Sequence, residues 1–221
     1  MTSTFNSLDK NILGQPTLSN GDLSVSYTGG NGIYWSTTRA TEAIAATGIT
    51  YFEFIVTALP TNGYIKLGFV GPTFSRFPVG YIGDYGSATN YATDTFGHGS
   101  FGASVIQNGY EYYGFGTAWS TGDIIGVSVD NTEQKIWFTR NGVLQDSVLS
   151  SGDLTGWYPA VSLVFASGSS VGTVSGTANF GATPFVYNPL TVLPAATTPI
   201  TITLNAQSKT YGTLATTLDE T

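Results

Sequence analysis

The chain has no cysteine, one histidine and one methionine in 221 residues, and only 10% of its residues are charged. Each scarcity excludes something. Without cysteine there is no disulfide, and a thiolate metal site or thiol nucleophile is impossible. The absence also fits a protein working outside a reducing cell. A single histidine, His98, means that any Ser-His-Asp triad or histidine metal site would have to pass through it. Lys and Arg total seven and stand singly at Lys10, Arg39, Lys66, Arg76, Lys135, Arg140 and Lys209, within a net charge of −7. Displacing counterions from nucleic acid needs clustered positive charge, as does adhesion to anionic lipid, so neither partner is expected. No apolar run approaches the roughly 20 residues of a membrane-spanning helix, and membrane insertion is not expected. Met1-Thr2-Ser3-Thr4-Phe5 has neither a basic nor an apolar leader region, so it does not read as a signal peptide.

What the chain does have is 41% hydrophobic residues, 14% aromatics and 28 glycines. That is enough apolar surface for an ordered core. The polar surface must then come from Thr, Ser, Asn, Gly and Tyr hydroxyls. At this length the expectation is one large β-sandwich, or one sandwich plus a fragment.

Period two dominates. Ile49 to Val56 sets Phe52, Phe54 and Val56 on one face and Glu53 on the other. After the turn Leu59-Pro60-Thr61-Asn62-Gly63, Ile65, Leu67 and Phe69 form the inward face of a second strand, and the two runs read as a hairpin. Ile125, Val127 and Val129 alternate again. Lys135 to Thr139 then leads to Asn141-Gly142, the strongest short hairpin signal, because both central positions of a type I′ turn need φ > 0. Trp157 to Phe165 is another strand, whose Pro159 belongs in its first residues or on an edge. Helix signals are nearly absent; Thr41-Glu42-Ala43-Ile44-Ala45-Ala46 offers a turn or two at most. Short strands with Gly-rich turns predict an all-β, two-sheet antiparallel sandwich.

Two stretches break the pattern. Pro72 to Ser104 lacks clean alternation, and a segment of that length inside a compact domain is usually a functional loop. Thr191 to Pro199 has linker composition, and Ile200-Thr201-Ile202-Thr203-Leu204 starts a fresh strand too short to bury a core alone. The expected organisation is a sandwich over 1–190, a linker over 191–199, and a truncated β-module or extended tail over 200–221.

Several segments follow one another in order: Asn6 to Gly21, Gly48-Ile49-Thr50-Tyr51-Phe52-Glu53-Phe54, Gly122-Asp123-Ile124-Ile125-Gly126 with Asp130, then Ile136, Phe138 and Asn141-Gly142, Trp157-Tyr158-Pro159-Ala160-Val161, and Ala178-Asn179-Phe180-Gly181 with Pro184-Phe185. As an ordered set they resemble the SPRY family. The resemblance spans about residues 5 to 190. It implies a bent concanavalin A-like jelly roll that binds, mostly protein segments, through loops at one end, and that is generally not an enzyme. Ala206-Gln207-Ser208-Lys209-Thr210-Tyr211-Gly212 resembles the opening of an MBG domain, a repeated β-module of long bacterial surface proteins.

His98 sits in Phe96-Gly97-His98-Gly99-Ser100 with no nucleophile-elbow motif, and reads as a loop residue contacting ligand rather than a catalyst. Glu53, Asp123 and Asp130 are the acids from which a glycosidase pair would be drawn. Asp123 and Asp130 fit turn roles, and Glu53 has Lys66 as an expected cross-strand partner. Asp84, Asn90 and Asp94 do not make a calcium-loop pattern, so no metal is expected. No catalytic residue and no cofactor are expected.

The informative feature is aromatic density between Phe74 and Trp119. Tyr113 and Phe115 are expected in the core. Tyr among Gly, Ser and Asn in long loops has the composition of an antibody-like binding surface, where Tyr gives contact area at low entropic cost. The expected ligand-binding set is Arg76, Tyr81, Asp84, Tyr85, Tyr91 and His98, with Tyr110, Tyr112 and Trp119 nearby. The expected function is a recognition module for a protein or glycan ligand on a bacterial cell surface, working extracellularly. The alternatives are the receptor-binding module of a phage tail or fibre, and a passive spacer.

Overall fold

In the computed structural model, residues 3–10, 14–29, 35–74, 82, 95–99, 104–107, 110–165 and 171–188 are described. They hold the strands β1 (Phe5–Lys10), β2 (Thr17–Ser19), β3 (Ser24–Gly29), β4 (Ser36–Ala40), β5 (Ile49–Ala58), β6 (Gly63–Val70), β7 (Thr95–Gly99) and β8 (Ser104–Gln107). The series continues with β9 (Tyr110–Tyr113), β10 (Ile124–Asp130), β11 (Lys135–Arg140), β12 (Val143–Leu144), β13 (Leu149–Ser150), β14 (Tyr158–Phe165) and β15 (Gly172–Asn179). No helix occurs among the described residues. Two antiparallel sheets result. The first runs β1-β4-β14-β6-β7-β8-β9 and the second β12-β11-β10-β5-β15-β3-β2, with β13 also on β11.

The alternation read from the sequence is what puts the core between the sheets. Phe52, Phe54 and Val56 of β5, Ile125, Val127 and Val129 of β10, and Ile136 and Phe138 of β11 face Ile65, Leu67 and Phe69 of β6 and Val161, Leu163 and Phe165 of β14. All are essentially excluded from water. Rings meet edge-on across the layer, as with Phe52 and Phe69 at 6.0 Å and 88°.

The expected β5–β6 hairpin is not formed. β5 pairs with β10 and β15, while β6 pairs with β14 and β7, so the turn after Ala58 carries the chain from one sheet to the other. Adjacency in sequence does not say whether two apolar faces lie side by side or stack face to face. Glu53 and Lys66 consequently point out of opposite sides of the sandwich, and Lys66 does not pair with Glu53. Glu53 is instead 1% exposed and accepts N–H bonds from Val186 and Tyr187.

Other expectations also shift. Thr41 to Ala46 is not helical: Ile44 donates its N–H to Trp157 and accepts one from Gly156, which fixes it as a bend. The expected loop Pro72 to Ser104 contains β7 and the first residue of β8. Thr95-Phe96-Gly97-His98-Gly99 hides its period because Gly97 and Gly99 occupy alternate positions, opposite Gly68 and Lys66. Tyr113 is 70% exposed on the last strand of its sheet rather than in the core, whereas Phe115 is buried. Pro159 is the second residue of β14, before the first residue paired to β4, so its missing N–H costs no bond there. The linker over 191–199 and the module over 200–221 lie outside the described residues.

Asn141 and Gly142 have φ of 51° and 77° and join Arg140 to its partner Val143. That is the two-residue turn the sequence predicts. A Cβ on Gly142 would also lie 2.5 Å from the Tyr187 ring. Gly142→Val is therefore expected to cost at least about 1 kcal/mol from backbone strain alone. Thermal denaturation checks this, and an unchanged midpoint would refute the assignment.

Candidate functional site

The first sheet has an outward face that is not solvated as an outer sheet face ordinarily is. Inward positions of β6 and β14 are apolar. The outward ones, Lys66, Val70, Ala160 and Ser162, are also buried, as is Thr37 on β4. Something covers them. Phe74 and Ile82, from the segment following β6, pack with Val70, Ala160 and Tyr158 in a second, smaller apolar cluster. Ile82 donates its N–H to Ser162 Oγ at 3.0 Å, and that hydroxyl lies 2.9 Å from Thr37 Oγ1. Within the segment singled out as a binding loop, the described residues Phe74 and Ile82 are thus pinned on this face ahead of β7.

Around these anchors stand charged groups seated on rings. Arg39 is ion-paired with Asp9, its guanidinium carbon lies 4.3 Å from the centre of the Tyr158 ring, and its Nη1 reaches the Gly71 carbonyl at 3.5 Å. Burial lowers the Arg39 pKa, with Tyr158 acting in the other direction. Lys66 Nζ lies 4.9 Å from the centre of the Trp35 ring. Cations held over aromatic faces are rigid and partly desolvated. They tie β1, β4, β6 and β14 into one platform beneath the segment.

Of the expected ligand-binding residues, Arg76, Tyr81, Asp84, Tyr85 and Tyr91 lie outside the described residues. His98 is in β7, not a loop, in register with Leu67 and Val105. Tyr110 and Tyr112 are on β9, the last strand of the same sheet, opposite Gln107 and Val105. Trp119 is 6% exposed and belongs to the main core, so its ring is packing rather than open contact surface. The residues sequence reading missed are Arg39, Tyr158, Thr37 and Ser162. Ser162 alone carried a signal, as a polar side chain between Val161 and Leu163, whereas Thr37 and Arg39 lie in the polar stretch Ser36-Thr37-Thr38-Arg39 and gave none.

The acids have the turn duties expected of them. Asp123 accepts from Ser120 N–H at 2.6 Å, Arg140 Nε at 2.8 Å and Asn141 Nδ2 at 2.7 Å. Asp130 accepts from the N–H groups of Thr132 and Glu133. Among the described residues no three His, Cys, Asp or Glu side chains converge as a metal site.

The SPRY-domain family model matches residues 49–178, more than half of the chain, and the chain belongs to that family. Ran-binding protein 9 of Xenopus tropicalis is 32% identical over 177 residues, which is 77% of this chain and 29% of that protein. The dual specificity protein kinase splA of Dictyostelium discoideum is 30% identical over 119 residues, 53% of this chain and 4% of the kinase. The chain therefore spans less than a third of the length of either relative. The crystal structure of the SPRY domain of human HERC1 superposes with a TM-score of 0.60 over 81% of this chain and 99% of that one, at 18% identity. At that identity the likeness is one of fold. SPRY domains are protein-interaction modules, so the family places this chain among binding proteins.

Proposed function

We propose that this chain is a non-catalytic recognition module that grips a protein segment with the loops following β6, held over the outward face of the first sheet. The carrying observation is the anchoring of Phe74 and Ile82 on this face, which gives a binding segment a rigid floor. Fixed anchors cut the ordering cost of binding, and the sequence between and beyond them is rich in Tyr, Gly and Ser. A glycan occupies the same chemistry, since tyrosine faces stack on sugar rings, and it stands as the second ligand class. The broader setting we infer is extracellular, on a bacterial surface adhesin, with a phage tail or fibre as the alternative. Its support is the MBG-like stretch Ala206 to Gly212 and the sparse charge.

The test is a pull-down from cell-surface extract run beside a glycan array, followed by affinity and melting measurements on Tyr85→Ala and Tyr91→Ala. Each alanine is expected to weaken binding of the captured ligand by about 1–3 kcal/mol, because interface energy concentrates on a few aromatic and Arg anchors. The melting midpoint is expected to stay near the parent's. Early unfolding of both variants, or parent-like affinity in both, moves the site elsewhere.

A further inference from the structure

The outward face of the second sheet carries a different device. Glu53 faces outward from β5, where a carboxylate would normally meet water. It is buried because the segment after β15 lies over it. That segment forms no strand ladder. It is held by side chains. Val186 N–H donates to Glu53 Oε2 at 2.9 Å, Tyr187 N–H donates to Oε1 at 2.7 Å, and the Tyr51 hydroxyl adds a bond to Oε1 at 3.1 Å. The Phe185 ring stands edge-on to Tyr51 at 4.6 Å, and the Tyr187 ring rests on Gly142. Asn179 Nδ2 reaches the Thr183 and Pro184 carbonyls, both at 3.2 Å.

Two glycines make the arrangement possible. A Cβ on Gly126 would lie 2.7 Å from the Tyr51 hydroxyl, and one on Gly142 would overlap Tyr187. The side chain of Val186 itself is 59% exposed, so the segment contributes main-chain donors and two rings rather than a core residue at that position.

We propose that residues 182–188 are a strap that opens and closes as a unit on an otherwise intact sandwich, with Glu53 as its latch. The physical reason is a difference in what holds each part. The sandwich stands on ladders and a continuous apolar core, whereas the strap carries no ladder and its Val186 and Tyr187 N–H groups both rest on a single carboxylate, and segments without ladders open locally at lower free energy than the whole. On opening, the Glu53 carboxylate exchanges two peptide N–H donors for water.

Hydrogen–deuterium exchange on the full chain tests this, with Glu53→Gln and Val186→Pro as variants. Val186→Pro removes one donor from the strap side without touching the sandwich. Both are expected to speed exchange over 182–188 by about tenfold or more while the amides of β10 and β15 stay within about twofold of the parent. The proposal is overturned if parent amides of Val186 and Tyr187 already exchange as free peptide. It is equally overturned if either variant leaves 182–188 unchanged, or speeds β10 and β15 alongside it. Ligand binding through the first sheet is not part of this readout, so failure here leaves the recognition reading untouched, and the converse also holds.

Discussion

Phe54→Ala is expected to destabilise the sandwich by about 3–5 kcal/mol, the range for removing a fully buried ring from a core that does not collapse around the gap. Phe54 has no exposed surface. Its strand is flanked on both sides, by β10 and β15, so the backbone around it has little freedom to move in. The ring lies over Gly176 so closely that a Cβ there would sit 2.1 Å from it. For a chain of this size each kcal/mol lowers the melting midpoint by about 2–4 °C, which puts the expected drop at about 6–20 °C. The glycine supplies a reciprocal check. Gly176→Ala is expected to destabilise the parent but to be better tolerated beside Phe54→Ala, because the ring it collides with is gone. Additive losses in the double variant would show that the two do not share the space.

Removing the Asp123 carboxylate is expected to rank next. Asp123→Ala leaves the Ser120 N–H, the Asn141 amide and the Arg140 guanidinium without their acceptor in a place where Asp123 is only 6% exposed. Stranding charged and neutral donors together costs about 2–4 kcal/mol. The pH dependence gives a second reading. Burial by itself raises the Asp123 pKa, but the Ser120 backbone bond, the Asn141 amide and Arg140 together more than reverse it, so the carboxyl lies below its ordinary value. A folded pKa below the unfolded one means the folded state holds its proton less tightly. The stabilisation is then present above the unfolded value of about 3.9 and is lost as the pH falls through the folded pKa. In melting experiments from neutral to strongly acid pH, the gap between parent and Asp123→Asn is expected to narrow on the acid side. A constant gap would contradict the pairing.

Local rules carried far in this chain. Alternation along Ile49 to Val56 and Ile124 to Asp130 is a property of neighbouring side chains, and it fixed which residues face the core, because a one-residue slip would turn every one of them outward. The Asn141-Gly142 turn is equally local, since its φ angles are set by what those two residue types tolerate. The ordered motifs from Tyr51 to Phe185 carried the family as well. The expected ligand-binding set rested on composition around Pro72 to Trp119, and composition does not say which way a ring faces. Trp119 has the same residue type whether it faces ligand or core, and only packing put it inside.

Tertiary structure alone decided how those strands are distributed. β5 and β6 are neighbours in sequence and lie in different sheets, because a short turn serves a hairpin and a sheet crossing equally well. That choice sends Glu53 and Lys66 out of opposite faces and gives them unrelated partners, Tyr187 and Val186 for one and the Trp35 ring for the other. Arg39 meets Tyr158, and Glu53 meets Tyr187, across more than a hundred residues of chain. Residue type and short-range spacing determine secondary structure and facing because those depend on bonded geometry and immediate neighbours. Which outward face is covered, and by what, depends on where distant segments are brought together by burying apolar surface, and no period in the sequence encodes that.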